Sequence, residues 1–194
     1  MSDYRRQFIK QFPNKKYQII YADPPWGYAN KPSKKGTSRG FAGNHYNLMS
    51  IEELKKMSVP TDDNCWLFMW CTFPMLKKGI ELLEAWGFTY RTVAFTWHKI
   101  TKNNKNFWGC GYYTRANNEV CLLGIKGKVK IKERGKIHQV VESKVQKHSK
   151  KPDIVRNHIV SICGNLPRIE LFARQKTEGW DVWEMKYKQI RGEK

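Results

Sequence analysis

The most informative stretch of this sequence is YQIIYADPPW, residues 17–26, an apolar run that ends in an acidic residue, two prolines and a tryptophan. The run from Tyr17 to Asp23 predicts a buried β-strand, because it is rich in β-branched and aromatic residues and is bounded by prolines. A strand cannot continue its hydrogen-bond ladder through two prolines, since neither ring nitrogen carries a proton. The backbone carbonyls around Asp23 and Pro24 are therefore predicted to be available to other donors.

The tetrapeptide Asp23-Pro24-Pro25-Trp26 is suited to binding a planar amine. The exocyclic amine of adenine could donate one hydrogen to the Asp23 carboxylate and the other to the Pro24 carbonyl, with Trp26 stacked on the purine. Asp-Pro-Pro is also an ordinary way to leave a strand and enter a turn, and a neighbouring tryptophan can belong to the core. From the tetrapeptide alone, both interpretations stay open.

The charge of the chain indicates a polyanionic partner. Its 194 residues include 36 Lys and Arg against 17 Asp and Glu, which gives a formal charge of +19 and a pI near 9.8. A protein this basic attracts nucleic acid. A lysine-rich proteome would produce the same bias, so charge supports nucleic-acid binding without establishing it.

Length and composition predict one folded domain over residues 1–194. No run approaches the roughly 20 apolar residues of a membrane span, and the N-terminus lacks an apolar signal core, so we expect a soluble, cytoplasmic protein with no membrane association. Five cysteines, without a Cys-x-x-Cys motif or a nearby histidine pair, indicate neither a disulfide framework nor a metal site.

Strand-like and helix-like segments alternate along the chain, which is typical of an α/β sheet with crossover helices. A capping box at Ser50–Glu53 predicts a short helix, and apolar residues at helical spacing predict two longer ones, opened by Pro74 and by Pro152. Strands are predicted over residues 17–23, 65–71, 88–97, 119–125, 168–173 and 181–187.

Three basic segments lie between these elements. Residues 27–47 are polar and glycine-containing and predict a mobile lid. Residues 99–118 interleave aromatic side chains with Lys and Arg, as nucleic-acid grooves do, although a solvated loop held by its own rings is the alternative. Lys128 to Lys132 alternates with period two and predicts an exposed edge strand.

With these pieces in this order, the chain resembles the family named after the large subunit of the eukaryotic mRNA adenosine N6-methyltransferase, the MT-A70 family, and looks like a compact bacterial or phage-like member. The resemblance implies a Rossmann-like α/β methyltransferase sheet that uses S-adenosylmethionine, with a permuted order that places the amine motif first and the cofactor strand last. It runs from Tyr17 to about Lys186 and is carried by Asp23 to Trp26, His45-Tyr46, Gly111 to Glu119, His148 to Asp153, and Pro167 to Arg174.

The resemblance also implies roles for individual residues. The implied catalytic residues are Asp23, Pro24, Pro25 and Trp26, and no metal is expected. The implied substrate contacts are Tyr46, Tyr112, Arg115, Asn118 and Glu119. The implied cofactor contacts are Asp23, Lys151, Glu170, Leu171, Phe172, Arg174 and Glu184.

Two of these cofactor contacts carry alternatives. Lys151 precedes a predicted helix, where an ammonium and the helix dipole can together hold the methionine carboxylate of the cofactor, but a surface lysine in an ion pair is the alternative. After Trp183 the family commonly continues with Gly-Asn, whereas this chain has Glu184-Met185. Glu184 would then have to replace the ribose contact of that asparagine.

The implied activity is methyl transfer to N6 of adenine, in which a base leaves the duplex and is received by Trp26 and Tyr46. DNA is the preferred polymer, because the chain is compact and strongly basic, and RNA is the alternative. A non-catalytic, nucleic-acid-binding subunit of a methyltransferase complex is a further alternative, and a homodimer or heterodimer stays open.

Overall fold

A computed structural model describes residues 11–27, 48–111, 113–146 and 150–184. Within these residues the chain forms three α-helices, α1 (Ile51–Lys55), α2 (Leu76–Ala85) and α3 (Ile154–Cys163), with a 3-10 turn at Phe73–Met75 before α2. The strands of the same residues are β1 (Tyr17–Ala22), β2 (Thr61–Cys71), β3 (Thr89–Ile100), β4 (Asn118–Lys126), β5 (Val140–Lys144), β6 (Arg168–Leu171) and β7 (Asp181–Trp183).

The strands form one mixed sheet in the order β5-β3-β4-β2-β1-β6-β7. Neighbouring strands are parallel except at β4, which is antiparallel to both β2 and β3. Strand β1, which is first in the chain, lies between β2 and the late strand β6. This arrangement confirms the predicted α/β, Rossmann-like class and places the amine motif beside the proposed cofactor strand.

Both faces of the sheet are covered by helices. Alternate residues of the central strands point to opposite faces, so both sets of side chains are buried. Ile20 and Leu67 face the side covered by α1 and α2. Ile19 and Trp66 face the side covered by α3. The near-continuous apolar runs of β1 and β2 are explained by this two-sided burial.

The helix ends largely follow the sequence signals. The Ser50 hydroxyl accepts from the Glu53 N–H and the Glu53 carboxylate accepts from the Ser50 N–H, which confirms the predicted capping box. Gly87 has φ of +84° just beyond α2, as expected of a residue that ends a helix. Each helix of the described ranges is too short or too polar to cross a membrane.

The prediction of an edge strand at Lys128 to Lys132 is wrong. The Lys128 N–H donates to Asn64 Oδ1 at 2.6 Å, and the Lys132 N–H donates to the Ile162 carbonyl at 2.8 Å. These backbone groups therefore bind a side chain of β2 and the end of α3, and neither takes part in strand pairing. The edge is formed instead by β5, which pairs in parallel with β3. Most of the predicted lid lies outside the described residues.

Candidate functional site

The candidate site lies at the edge of the sheet where the parallel strands end. Asp23 follows β1 directly, and Phe172 and Arg174 follow β6. Glu119 reaches the same edge from the start of β4, because β4 runs in the opposite direction. Open α/β sheets bind their ligands at this edge.

A buried ion-pair network joins these elements. Lys151 Nζ lies 2.8 Å from Asp23 Oδ2 and 3.2 Å from Glu119 Oε2. The other oxygen of Glu119 accepts from Lys99, which lies on β3. Arg174 Nη2 lies 3.7 Å from Asp23 Oδ2. The side chain of Lys151 is only 8% exposed, so the alternative of a lysine in a surface ion pair does not describe it.

Opposite charges in the network shift the pKa values of Lys151 and Glu119 toward their charged forms. Burial by itself would lower the pKa of Lys151, but the carboxylates of Asp23 and Glu119 overcome this effect and raise it. Burial by itself would raise the pKa of Glu119, but Lys151 and Lys99 hold it below its usual value. Positively and negatively charged side chains therefore lie next to one another in a region of low solvent access.

The ammonium groups of Lys151 and Lys99 each lie near the ring of a tryptophan. Lys151 Nζ lies 5.8 Å from the ring centre of Trp70, and Lys99 Nζ lies 5.0 Å from that of Trp97. The two indoles contact each other edge to face. Cations over aromatic faces are stabilised by the ring quadrupole, so the strands β2 and β3 contribute directly to the position of both lysines.

The Asp-Pro-Pro-Trp segment forms a tight turn. The Pro24 carbonyl accepts from the Trp26 N–H at 2.9 Å, and the Pro25 carbonyl accepts from the Met49 N–H at 3.0 Å. The Pro24 carbonyl is therefore not left unpaired as the sequence suggests, although a carbonyl oxygen has a second lone pair for another donor.

Trp26 lies in the core, which favours the alternative that the tetrapeptide left open for this residue. Its side chain is 6% exposed, and its indole N–H donates to the Trp70 carbonyl at 3.1 Å. A ring buried to this extent supports the turn from within. Stacking of a base on Trp26 stays a prediction, and the second predicted ring, Tyr46, lies outside the described residues.

The end of β6 provides the remaining predicted cofactor contacts. Leu171 and Phe172 are buried, and Arg174 is at the surface. Phe172 has φ of +61°, a conformation that is rare for a bulky residue and is found mainly where function or close packing requires it. Its ring contacts Trp183 edge to face at 5.3 Å. Glu184 follows β7 and is half-buried.

Glu170 is bound by a residue that the sequence did not point to. Both of its carboxylate oxygens accept from Arg156 of α3, at 2.7 and 2.8 Å. Arg156 is buried, whereas the apolar Ile154, two positions earlier in the same helix, is 44% exposed. Lys99 is a second missed residue, because its position at the start of a polar loop gave no sign of a buried partner.

The loop between β3 and β4 and the start of β4 carry the predicted substrate contacts other than Tyr46. Arg115 is exposed, Asn118 is half-buried, and Tyr112 lies outside the described residues. Within the described ranges, Asn118 Oδ1 is buried without a hydrogen-bond donor. Trp108 and Tyr113 of the same loop are 64% and 94% exposed. Large exposed rings beside cations suit contacts with bases and phosphates.

The residues at this edge fit the chemistry of S-adenosylmethionine. The amino-acid end of that cofactor carries a carboxylate and an ammonium, and the edge offers the Lys151 and Arg174 cations beside the Asp23 carboxylate. The adenosine end carries hydroxyl donors, for which Glu170 and Glu184 supply acceptor oxygens. Lys151, Asp23 and Arg174 would thus hold one end, and the residues after β6 and β7 the other.

Sequence comparisons agree with this arrangement. Residues 17–186 match the MT-A70 family. The chain is 38% identical over 193 residues to the type II methyltransferase M.MunI of Mycoplasma sp, which covers 91% of this chain and 80% of that protein.

More distant relatives are eukaryotic. The chain is 26% identical over 163 residues to the N(6)-adenosine-methyltransferase catalytic subunit METTL3 of Homo sapiens, covering 82% of this chain. It is 27% identical over 170 residues to the N(6)-adenosine-methyltransferase MT-A70-like protein of Arabidopsis thaliana, covering 84% of this chain. It spans only about a quarter of the length of these two proteins, 26% and 23%.

The fold, the charged edge and the motif order described above agree with the family match, which extends from residue 17 to residue 186. The chain therefore belongs to the MT-A70 family of S-adenosylmethionine-dependent methyltransferases.

Proposed function

We propose that this protein transfers a methyl group from S-adenosylmethionine to N6 of adenine in DNA. The observation that carries the proposal is the Asp23 carboxylate, held 2.8 Å from Lys151 at the carboxyl edge of the sheet, next to the Pro24 carbonyl. An acceptor pair at this position is what a planar amine requires.

Asp23 and Pro24 would activate the amine by orientation. The lone pair of the adenine amine is delocalised into the ring, which makes the nitrogen a poor nucleophile. Accepting its two hydrogens at Asp23 and at the second lone pair of the Pro24 carbonyl would localise that lone pair and fix its direction. Lys151 binds Oδ2 of Asp23, so we assign Oδ1 to the amine.

The cofactor supplies an electrophilic methyl group on a sulfonium. Transfer of that methyl group would leave a positive charge and a surplus proton on the amine nitrogen. We assign to the Asp23 carboxylate the stabilisation of that charge and the acceptance of the proton. Lys151 and Arg174 hold this carboxylate in position.

DNA is the proposed polymer for two reasons. The relative at 38% identity is a type II methyltransferase that the chain matches over 80% of its length. The METTL3 relatives, whose names specify adenosine, a ribonucleoside, are matched over about a quarter of theirs, 26%. The charge of +19 supports binding to a nucleic-acid polymer of either kind.

The direct test is incubation with labelled cofactor and matched DNA and RNA oligonucleotides, followed by nucleoside analysis. Label in N6-methyldeoxyadenosine is the expected result. Label only in N6-methyladenosine of the RNA would reassign the polymer, and methylation at another atom would overturn the assignment of the amine. A protein that binds nucleic acid but neither binds nor uses the cofactor would be a non-catalytic subunit.

Asp23→Ala tests the catalytic assignment. We expect methyl transfer to fall by about a thousandfold, far more than cofactor affinity falls, because the charge stabilisation that Asp23 provides is needed mainly in the transition state. Asp181→Ala is the matched control, since it also removes an aspartate that pairs with a lysine, at 2.9 Å, but at the opposite end of the strands. Retention of full activity in Asp23→Ala would contradict the mechanism.

A further inference from the structure

One buried ion pair joins α3 to β6, and proposed cofactor contacts lie just before α3 and at the end of β6. Arg156 Nε donates to Glu170 Oε2 at 2.7 Å and Nη2 donates to Oε1 at 2.8 Å, which is a two-pronged contact. The two side chains are 6% and 9% exposed. Such paired hydrogen bonds fix the plane of a carboxylate as well as its position.

Arg156 also fixes the beginning of α3. Its Nη1 donates to Asp153 Oδ1 at 2.8 Å, and its guanidinium lies 5.6 Å from the ring centre of Tyr21 on β1. Asp153 is two residues from Lys151. One guanidinium therefore contacts β1, β6 and the segment that leads from Lys151 into α3.

We propose that Arg156 is a positioning residue, which holds the Glu170 carboxylate in the orientation that accepts from a ribose hydroxyl of S-adenosylmethionine; this inference rests on the proposed function. Each carboxylate oxygen has two lone pairs. The arginine uses one on each oxygen, so it fixes the direction of the remaining lone pairs.

The need for such a residue follows from the burial of Glu170. Burial raises the pKa of Glu170, and Arg156 opposes that rise. A neutral carboxylic acid, or a carboxylate in another rotamer, would be a poorer acceptor for a hydroxyl. Lysine cannot replace the fork-like contact, because its ammonium is a single point of charge.

A double-mutant cycle tests the proposal. The variants are Arg156→Met, Arg156→Lys, Glu170→Gln and the Arg156→Met/Glu170→Gln pair. S-adenosylmethionine affinity is measured by calorimetry, DNA affinity by fluorescence anisotropy and unfolding by urea titration. Lys55→Met is the control, because it breaks an ion pair between α1 and α2, at 3.2 Å, away from the site.

We expect Arg156→Met to weaken cofactor binding by about tenfold to a hundredfold, the range that a lost hydrogen bond to a charged group predicts. Arg156→Lys should fold and lose at least fivefold by the same reasoning, about 1 kcal/mol. DNA affinity should stay within about twofold of the wild type, since Arg156 is buried. In the Glu170→Gln background, Arg156→Met should change cofactor affinity by less than about twofold, because it acts through the carboxylate.

A purely structural role gives a different pattern. The double variant has no unpaired buried charge and should recover stability relative to Arg156→Met. If its cofactor affinity recovers in parallel, or if Arg156→Met is equally harmful in both backgrounds, the proposal is overturned. Wild-type affinity in Arg156→Lys and Arg156→Met also overturns it. A wild-type protein that does not bind S-adenosylmethionine would instead refute the proposed function.

Discussion

Replacing Lys151 by methionine would remove the ammonium between Asp23 and Glu119 and keep an unbranched side chain of similar length. Lys151 makes ion pairs of 2.8 and 3.2 Å and is almost fully buried. Breaking a buried pair by removing one partner costs about 3–5 kcal/mol, because a charge is left without compensation. Glu119 keeps Lys99, and Asp23 keeps Arg174 at 3.7 Å. We therefore expect the lower end of that range, about 3 kcal/mol.

Urea unfolding at pH 7 measures this loss. With a slope of about 2 kcal/mol per molar urea, 3 kcal/mol lowers the midpoint by about 1.5 M. For a chain of this size the thermal midpoint should fall by about 6–12 °C. Lys15→Met is the matched control, because Lys15 pairs with Asp181 at 2.9 Å on the surface, and exposed pairs contribute about 0–1 kcal/mol.

The stability difference between Lys151→Met and the wild type should depend on pH. The pKa of Glu119 is lowered in the folded protein, so its stabilising contribution is present above the unfolded pKa of about 4.3 and is lost as pH falls through the folded value. The variant lacks one of the two ammonium groups that lower this pKa. It therefore loses less on acidification, and the difference should shrink as pH falls below about 4.3 and through the folded pKa of Glu119.

At alkaline pH the stability difference depends on the charge of Lys151 instead of the charge of Glu119. The pKa of Lys151 is raised in the folded protein, so its contribution is present below the unfolded pKa of about 10.4 and is lost as pH rises through the folded value. The stability difference between Lys151→Met and the wild type should therefore also shrink at alkaline pH. A loss below about 1 kcal/mol at pH 7, or a difference that grows on acidification, would refute the reasoning from the ion-pair network.

Two further predictions concern the loop and the core. Trp108→Ala should weaken binding to a single-stranded oligonucleotide by about 1–3 kcal/mol without changing the salt dependence of that binding, because a 64% exposed ring contributes stacking rather than charge. Fluorescence anisotropy measures the affinity, and an unchanged value would argue against this loop as a base contact. Gly79→Ala should lower the free energy of unfolding by about 1 kcal/mol in a urea titration, because overpacking outweighs the gain in helix propensity. The added Cβ would lie 2.8 Å from Cys71 Sγ and 3.1 Å from Leu122 Cδ1. Lys78→Ala, at the exposed neighbouring position, is its control, and a stabilised Gly79→Ala would contradict the packing argument.

The core strands and the capping box could be predicted because their signals are local. An apolar run of strand length or a Ser-x-x-Glu pattern is contained within a few residues. The wrong strand at Lys128 to Lys132 shows the limit of such signals. Period-two alternation describes an extended segment, but only a neighbouring strand makes it part of a sheet, and Lys132 binds the end of α3 instead.

The ion pairs of the site could not be predicted, because they join residues far apart in the chain. Lys151 and Asp23 are separated by 128 positions, and Arg156 and Glu170 lie on different elements. In isolation, an arginine within the apolar pattern of α3 is expected to face solvent. The buried Glu170 carboxylate reverses that expectation, while Ile154 is left exposed. The resemblance to a family pointed to Lys151 and Glu170 but gave no sign of Lys99 or Arg156.

The wide separation of Asp23 and Lys151 also bears on how the protein is made. Strand β1 is synthesised well before its neighbour β6, which leaves the ribosome about 150 residues later, or roughly 8 to 30 seconds at ordinary rates of translation. Until then, one edge of the central strand has no partner, and the carboxylate at its end has no ammonium. The charged site can therefore form only after β6 has been synthesised, and a translation product interrupted before Lys151 contains the amine motif without a site around it.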